Sequence, residues 1–395
     1  MFRPFARPLY VMLKPAGARC NLRCRYCYYL EKGGLYDGQE QTMSDALLEL
    51  FVRQYMEAQT MPQVLFIWHG GEPLLRSVSF YRRALELQRQ YGGGRQIDNC
   101  LQTNGMLLND EWCEFLAENR FLVGISIDGP QPMHDRYRKS AGGLPTFDRV
   151  MRGIRLLQKH GVEWNAMAVV TRHSMEQPRE FYRFFRSIGC EYLQFTPVVE
   201  RTDAHGLLPV SADGGMVTAD SVTPEGWGHF LCGVYDEWVR QDVGRLFVQI
   251  FDAVLANWVG EQAGICSLSP MCGHAAVMEW NGDVYSCDHF VFPDNLLGNI
   301  RQQPISALVY GRQQQDFARC KVVSLPRQCR ECRWLRTCYG ECPKNRFIRD
   351  TYEEPGLNYL CPGYRQFFAH VAADMDYMAA ELSAGRAPAN IMFTT

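Results

Sequence analysis

The sequence predicts an α/β protein with a parallel sheet in its first half and a cysteine-rich region near its end. Segments typical of buried strands alternate with helical segments between Tyr10 and Thr196, which gives six strands with helices between them. Nine of the 16 cysteines lie between Cys266 and Cys361. Strands that alternate with helices pair in parallel through right-handed crossovers, as in a doubly wound sheet or a partial barrel. Periodicity alone does not choose between these two architectures.

The elements of the first half follow one another at short intervals. Strands are predicted at Tyr10–Lys14, Val64–Trp68, Ile97–Gln102, Leu122–Ile127, Trp164–Val170 and Tyr192–Thr196. Helices are predicted at Ser44–Gln59, Val78–Tyr91, Asn109–Glu118, Phe147–His160 and Glu176–Ser187. Ser44 is suited to cap the first helix, because its hydroxyl can accept a hydrogen bond from the first turn.

The alternation ends at Arg201–Glu225, a segment rich in Gly, Ser, Asp and Pro that reads as a long loop at a domain boundary. The later predicted elements are helices at Glu225–Gln241, Leu246–Gly260 and Tyr364–Ala384, and a hairpin around an Asn-Gly turn at Glu279–Val284. We therefore expect two domains, at residues 1–240 and 241–395.

Composition excludes several classes of protein. With 47% apolar residues the chain is not disordered, and its net charge of −2 without basic runs gives no basis for nucleic-acid binding. The longest early apolar run, Leu9–Leu13, is too short for a signal sequence or a membrane span. We expect a cytoplasmic protein, in which many thiols indicate metal ligation or redox chemistry.

Polar or glycine-rich segments follow five of the predicted strands. They are Cys20–Cys27, Gly70–Pro73, Gln102–Gly105, Ser126–Gly129 and Gln194–Pro197. Because the carboxyl ends of parallel strands share one edge of the sheet, we expect these segments to line one cavity. Turn residues follow most strands, which would explain Gly105 or Gly129 alone, but the cysteines favour a functional site.

Cys20, Cys24 and Cys27 form a CxxxCxxC motif. Three thiolates on a four-iron cluster leave one iron free to bind a small molecule through nitrogen and oxygen donors. Zinc is the alternative, since a cysteine-rich loop with one further ligand can hold it. Zinc motifs usually pair two CxxC knuckles, however, and no second pair lies nearby, so the spacing favours a cluster.

This motif, with Tyr26 before its last cysteine and Gly-Gly-Glu-Pro at 70–73, resembles the radical S-adenosylmethionine (SAM) enzymes. The resemblance implies a partial (β/α)6 barrel similar to a TIM barrel. It also implies that the open iron chelates the methionine part of S-adenosylmethionine. Reduction of the cluster would then release a 5′-deoxyadenosyl radical that abstracts a hydrogen atom from the substrate.

The same resemblance identifies residues that would bind S-adenosylmethionine. They are Gly70, Gly71 and Glu72 for the amino group, Ser126 and Arg138 for the carboxylate and ribose, and Asn104. For the two glycines the implied reason is close approach of the backbone, which only glycine permits. The alternatives are a strand-end cap for Ser126 and a surface charge for Arg138.

The C-terminal cysteines, taken alone, could form a zinc ribbon or a single iron–sulfur cluster. Their spacing resembles the SPASM extension of radical SAM enzymes that modify peptides and proteins. This resemblance implies two auxiliary four-iron clusters, one held by Cys266, Cys272, Cys287 and Cys342, the other by Cys329, Cys332, Cys338 and Cys361. Both sites would be closed by four thiolates, which implies electron transfer. Five cysteines remain. Burial as small apolar residues is expected for Cys100, Cys113, Cys190 and Cys232, whereas Cys320 lies near the cluster region and its role stays open.

Within that group the chain resembles the anaerobic sulfatase-maturating enzymes. The resemblance rests on Lys14-Pro15, Trp68–Pro73, Gln102–Gly105, Cys287–Phe290 and Tyr359–Cys361. It implies oxidation of an active-site Cys or Ser of a sulfatase to Cα-formylglycine. The radical would remove a hydrogen atom from Cβ, a base would take the thiol or hydroxyl proton, and an auxiliary cluster would accept one electron.

Asp288 is the candidate base, because it follows Cys287 and its carboxylate would lie beside an electron acceptor. The alternative is that it caps the hairpin or pairs with an arginine. The candidates for contact with the substrate peptide are Tyr28, Gln63, His69 and Gln194, each of which could equally be a strand-end hydrogen bonder. The implied partners are an unfolded or nascent sulfatase and a reductant such as flavodoxin or ferredoxin.

Two other functions remain open from sequence. One is a SPASM maturase that crosslinks a ribosomal peptide through a thioether or carbon–carbon bond. Such enzymes often carry an extra N-terminal recognition domain, for which the position of Cys20 leaves no room in this chain. The other is a non-catalytic iron–sulfur electron carrier or zinc scaffold, which needs neither three-cysteine ligation nor the Gly-Gly-Glu-Pro segment.

Overall fold

The computed structural model describes residues 8–36, 39–204, 206–208, 214–273 and 275–394. The chain divides into two compact units built from discontinuous segments. The first comprises Met1–Ser126, Asp135–Trp164 and Gly273–Ala318, and the second Ile127–His134, Asn165–Cys272 and Arg319–Thr395. The division into domains at residue 240 remains a prediction.

The first unit is built around a largely parallel sheet. Its strands are β1 (Tyr10–Leu13), β2 (Gln63–Trp68), β3 (Gln96–Thr103), β4 (Leu122–Ser126), and three more at Ala275–Met278, Asp283–Tyr285 and Leu296–Asn299. Strands β1 to β4 pair in parallel in chain order, and the strand at Ala275–Met278 pairs in parallel with the free edge of β1. The last two strands are antiparallel. A doubly wound sheet would reverse its strand order, so this consecutive order is that of a partial barrel.

The first unit has six α-helices among the described residues, and four of them begin at or within one residue of the predicted positions, whereas the short first and last ones were not predicted. The six are Tyr29–Lys32, Asp45–Ala58, Val78–Tyr91, Asp110–Glu118, Phe147–Lys159 and Ile305–Val309. The Ser44 hydroxyl accepts a hydrogen bond from the Leu47 N–H (3.3 Å), which confirms the predicted cap. Tyr55 of this helix packs edge-on against Phe66 of β2, with ring centroids 5.0 Å apart.

The second unit contains most of β5 (Trp164–Val170), β6 (Tyr192–Pro197) and a short strand at Phe247–Val248, all parallel. Its helices are Pro178–Ser187, Pro224–Gln241, Gln249–Trp258, Arg327–Arg330, Leu335–Cys338 and Cys361–Ser383. Its other strands are Arg201–Asp203, Gly206–Leu207, Met216–Val217, Ile348–Arg349 and Pro355–Leu357. Helices Gln131–Tyr137 and Arg312–Val323 have residues in both units.

Three expectations about the second half were wrong. Leu246–Gly260 is not one helix, because Phe247–Val248 pairs with β6 and the helix begins at Gln249. The expected loop at Arg201–Glu225 contains short strands, and residues 205 and 209–213 of it lie outside the described residues. Helix Arg312–Val323 was not predicted, because few of its residues are apolar at helical spacing.

Among the described residues, no helix is both long and apolar enough to cross a membrane.

Candidate active site

The cysteine loop after β1 is held by backbone hydrogen bonds to a segment that follows β4. The Arg23 N–H donates to the Lys139 carbonyl (2.9 Å), and the Arg25 N–H donates to the Tyr137 carbonyl (3.1 Å). Arg138 lies between these two acceptors, and its guanidinium is 5.8 Å from the Tyr26 ring centroid. The fold therefore brings Arg138 beside the cysteine motif, so it is not an isolated surface charge.

The Gly-Gly-Glu turn after β2 packs against the residues that precede the first cysteine. The Gly71 N–H donates to the Gly17 carbonyl (2.8 Å), and the Glu72 N–H donates to the Arg19 carbonyl (2.9 Å). A Cβ atom on Gly71 would lie 2.2 Å from the Arg19 carbonyl oxygen. Glycine is therefore required at residue 71 by close approach to the cysteine loop, and contact of this turn with the methionine amino group remains a prediction.

The Glu72 carboxylate is fully buried and joins the segments that follow two neighbouring strands, β2 and β3. It accepts hydrogen bonds from the Leu74 N–H (2.9 Å), the Thr103 hydroxyl (2.8 Å) and the Asn104 N–H (2.8 Å). Burial raises the pKa of Glu72 to about 7, although these hydrogen bonds act in the opposite direction. The side chain of Glu72 therefore braces the end of β3.

Asn104, whose backbone N–H is bound by Glu72, also contacts the cysteine loop through its side chain. Its side-chain amide donates to the Asn21 side-chain oxygen (2.7 Å) and to the Cys20 sulfur (3.6 Å), and the Leu22 N–H also donates to that sulfur (3.3 Å). Burial raises the pKa of the Cys20 thiol to about 11, whereas these two donors lower it. Hydrogen bonds to sulfur tune the potential of an iron–sulfur cluster, so Asn104 is suited to that role.

Ser126 lies at the carboxyl end of β4, as expected. Its hydroxyl accepts a hydrogen bond from the Gln102 side-chain amide (3.0 Å), which comes from the neighbouring strand β3. Both side chains lie near the strand ends that carry the Gly-Gly-Glu turn and Asn104. The predicted contact of Ser126 with S-adenosylmethionine remains a prediction.

Asp288 lies in a buried cluster of aromatic and cationic side chains. Its Oδ2 accepts a hydrogen bond from the Tyr28 hydroxyl, and its Oδ1 accepts one from the Tyr29 hydroxyl (2.5 Å). The Lys14 ammonium forms an ion pair with Oδ1 (2.6 Å), and the Lys32 ammonium donates to the backbone carbonyl of Asp288. The structure thus brings two residues chosen from sequence, Tyr28 and Asp288, into direct contact.

These cations determine the charge of Asp288. Burial alone would raise the pKa of its carboxyl, but Lys14, Lys32, His69 and His289 hold that pKa well below its ordinary value. The carboxylate is therefore ionised throughout the neutral range.

Sequence reasoning missed Tyr29, Lys14 and Lys32 as parts of this cluster. Lys14 is fully buried, and its ammonium lies 4.2 Å from the Tyr29 ring centroid and 3.2 Å from Glu279. One signal was available, since a lysine that directly follows a buried strand needs a buried anion. The partner could not be found that way, because Asp288 is distant in sequence.

The other predicted substrate contacts are placed differently. His69 follows β2, and its ring centroid is 6.3 Å from that of Tyr29, so it borders the Asp288 cluster. Gln63 begins β2 and donates to Asp98, an exposed contact at the amino end of the strand. At about 3.3 Å per residue this is about 17 Å from the edge where ligands bind, which argues against the prediction for Gln63. Gln194 lies within β6 rather than at its end.

In the second unit, four thiols meet at one cavity. Cys329, Cys332, Cys338 and Cys361 line a space of about 430 Å³ together with Trp334, Tyr364 and Phe368. Burial raises the pKa of the Cys361 thiol to about 11, and the neighbouring Cys329 and Cys332 thiols raise it further. Cys342, four residues beyond Cys338, is not among the described residues that line this cavity. The grouping matches the set that the SPASM resemblance implied.

The chemistry of these four thiols fits an iron–sulfur cluster. A four-iron cluster binds each thiolate at a different iron, so its cysteines surround a volume rather than a point. Soft sulfur donors around a cavity of this size fit such a cluster.

The comparisons with known proteins agree with this site. The Radical SAM superfamily model matches residues 15–185, and the iron-sulfur cluster-binding (SPASM) domain model matches residues 270–333. The serine-type anaerobic sulfatase-maturating enzyme of Bacteroides thetaiotaomicron is 59% identical, over 99% of this chain and 96% of that protein. The cysteine-type enzyme of Clostridium perfringens is 32% identical, over 92% of this chain and 96% of that protein.

A solved structure of native anSMEcpe with bound AdoMet and Cp18Cys peptide superimposes with a TM-score of 0.85. It is 31% identical and covers 95% of this chain and 99% of its own. These matches confirm the family, the partial-barrel fold and the SPASM region that the sequence predicted. The chain belongs to the anaerobic sulfatase-maturating enzymes of the radical SAM superfamily.

Proposed function

We propose that this enzyme oxidises an active-site serine or cysteine of a sulfatase polypeptide to Cα-formylglycine. The observation that carries the proposal is the buried, ionised Asp288, which lies beside Cys287 and is held by Tyr28, Tyr29 and Lys14. The 59% identity to a serine-type enzyme supports serine as a substrate residue. Both residue types belong to the proposal, because cysteine-type relatives also align over almost the whole chain.

The cofactors are S-adenosylmethionine and three four-iron clusters, which supply hydrogen-atom abstraction from substrate Cβ and an acceptor for one electron. Cys20, Cys24 and Cys27 are the proposed ligands of the cluster that binds S-adenosylmethionine. Backbone groups of the Gly70–Glu72 turn, with Asn104, Ser126 and Arg138, are proposed to border that cofactor. The two sets of four cysteines implied by the SPASM resemblance are the proposed ligands of the auxiliary clusters.

Asp288 is proposed to take the hydroxyl or thiol proton of the substrate residue. A carboxylate offers about four lone-pair positions, and Tyr28, Tyr29 and Lys14 occupy one each. The remaining position on Oδ2 can accept the substrate proton without loss of these contacts. Lys14 and the two tyrosines hold the carboxylate in place, and His69 is the proposed neighbour of the substrate peptide.

The partners follow from this chemistry. We propose an unfolded or nascent sulfatase as the substrate, because the target side chain must reach the buried Asp288. A flavodoxin or ferredoxin is the proposed reductant. Action in the reducing cytoplasm belongs to the same proposal, because thiols that are to hold clusters must stay reduced.

The test is an anaerobic assay with two sulfatase-like peptides that differ only in Ser or Cys at the target position. Mass spectrometry should detect an aldehyde from at least one of them, accompanied by 5′-deoxyadenosine. A crosslinked peptide would instead indicate a maturase of ribosomal peptides. Absence of 5′-deoxyadenosine from the reduced enzyme would exclude radical chemistry altogether.

A further inference from the structure

Arg346 lies where the chain passes from one proposed auxiliary cluster site to the other. Cys338 belongs to the second set of cysteines and Cys342 to the first, and only three residues separate them. The Arg346 guanidinium donates to the carbonyl of Gly340 (2.8 Å), within this short segment, and to the carbonyl of Lys321 (2.6 Å). One side chain thus joins the backbone beside both sets.

The segment between the two cysteines has an unusual backbone. Tyr339, Gly340 and Glu341 all have positive φ angles, of 49°, 70° and 53°. Such a conformation costs roughly 1–2 kcal/mol for each residue that has a Cβ atom, so neighbouring groups must support it. Arg346 does so, because its guanidinium also donates to the carbonyls of Tyr339 (2.7 Å) and Glu341 (3.2 Å).

Lys321 places a second cation beside the first set only. Its side chain is fully buried, and its ammonium donates to the carbonyls of Cys266 (2.8 Å) and Ser267 (2.7 Å). Both acceptors are uncharged carbonyls, so these hydrogen bonds do not neutralise the ammonium, while burial lowers its pKa.

One carboxylate, Glu341, lies in the segment that Arg346 holds. It accepts hydrogen bonds from the side-chain amides of Asn358 (2.6 Å) and Asn345 (3.4 Å), whereas the partners of Arg346 are carbonyls. Two cations, Arg346 and Lys321, therefore accompany this one carboxylate where the chain passes between the two sets.

We propose that Arg346 is a positioning residue shared by both auxiliary clusters, which holds the turn between Cys338 and Cys342 and raises both reduction potentials. Lys321 raises the potential of one cluster only. A reduced cluster carries one more negative charge than the oxidised form, so a fixed cation stabilises the reduced state. Both clusters thereby become better acceptors for the electron that leaves the substrate. The inference rests on the cluster ligands proposed above.

The experiment is a redox titration followed by electron paramagnetic resonance on the full chain. Cys20→Ala, Cys24→Ala and Cys27→Ala are combined to remove the third cluster, which leaves the auxiliary pair. In this background Arg346→Gln should lower both midpoint potentials, by about 59 mV for a tenfold change in the ratio of reduced to oxidised cluster. Lys321→Gln should lower one midpoint only, and Arg346→Lys should restore most of the shift.

Iron analysis separates this role from a merely structural one. Unchanged midpoints in both glutamine variants at wild-type iron content would overturn the inference, and so would equal shifts of both clusters in Lys321→Gln. If Arg346→Gln binds no cluster, the Lys321→Gln shift at a single cluster decides the outcome. No sulfatase peptide is used, so the result is independent of whether formylglycine is formed.

Discussion

The three cysteines after β1 lie within eight residues of chain, whereas the cysteines that line the cavity of the second unit extend from Cys329 to Cys361. The first group is fixed by strand ends, through backbone contacts with the Gly-Gly-Glu turn and hydrogen bonds from Asn104. The second group lies on short helices and turns, beside a segment held by the half-buried Arg346 and the buried amide of Asn358. A rigid sheet edge can present a local motif, whereas a dispersed set of ligands needs its own supporting polar groups.

The largest expected effect is on catalysis, and it should differ between the two cysteine groups. Cys20→Ala should abolish cleavage of S-adenosylmethionine, because it removes a ligand of the open cluster. Cys338→Ala should retain that cleavage but lower formylglycine output by more than about 10²-fold, since loss of an outer-shell partner alone costs 10–100-fold. Release of 5′-deoxyadenosine and aldehyde is measured in parallel, with Cys113→Ala as a control. Loss of S-adenosylmethionine cleavage in both Cys20→Ala and Cys338→Ala would contradict the assignment of different roles to the two cysteine groups.

Asp288→Asn is expected to have the next largest effect. An amide cannot accept the substrate proton, so formylglycine output should fall by about 10²–10⁴-fold while the clusters remain intact. The measurement is aldehyde yield per enzyme, with iron content and absorbance as controls. Wild-type output from Asp288→Asn would show that another group is the base.

Gly71 and Gly340 offer a direct comparison of the two regions. A Cβ on Gly71 would meet the Arg19 backbone carbonyl at 2.2 Å, whereas one on Gly340 would meet the ends of two side chains, Arg346 and Leu325, both at 2.5 Å. Gly71→Ala should destabilise the protein by about 3 kcal/mol or more and displace the cysteine loop. Gly340→Ala, where φ is +70°, should cost about 1–2 kcal/mol. Anaerobic thermal unfolding of both variants tests whether Gly71→Ala is the more destabilising of the two substitutions.

The raised pKa of Glu72 predicts that the free energy of unfolding depends on pH through this one carboxyl at the sheet edge. Its pKa of about 7 in the folded protein exceeds the ordinary value of 4.5, so the folded state binds more protons between these values. Wild-type stability should therefore fall as pH rises from about 4.5 to about 7. Glu72→Gln should lose about 1–3 kcal/mol, because its amide opposes the Asn104 N–H, and this deficit should shrink at higher pH.

Melting temperatures between about pH 5 and about pH 8 test the prediction for Glu72. Glu86→Gln, at an exposed position on the adjacent helix, controls for the loss of one charge. A Glu72→Gln deficit that does not vary with pH would contradict the assigned titration.

The smallest effect is expected at Gln63. Its side chain contacts only Asp98 among the partners described, at the amino end of β2. Gln63→Ala should leave formylglycine output unchanged and stability within about 0.5 kcal/mol. A strong rise in KM for the peptide in Gln63→Ala would instead support contact between Gln63 and the substrate.

The sequence predicted the strands and helices of the barrel closely, because each depends on local periodicity and capping. Helix Val78–Tyr91, for example, has the predicted bounds. The cysteine sets and Asp288 were found through motif resemblance. Lys14 and Tyr29 were missed, because their partner Asp288 lies more than 250 residues away in sequence. Long-range pairing of buried charges leaves no periodic signal in a single chain.

The left-handed run from Tyr339 to Glu341 has a further consequence. It is the shortest spacer between a ligand of one proposed cluster and a ligand of the other, so its length is shared by both. An insertion or deletion of one residue there would shift Cys338 or Cys342 out of place and rotate the chain that follows. A single change in the length of this spacer would therefore disturb both proposed clusters. We expect its length to tolerate change less than any other feature of this region.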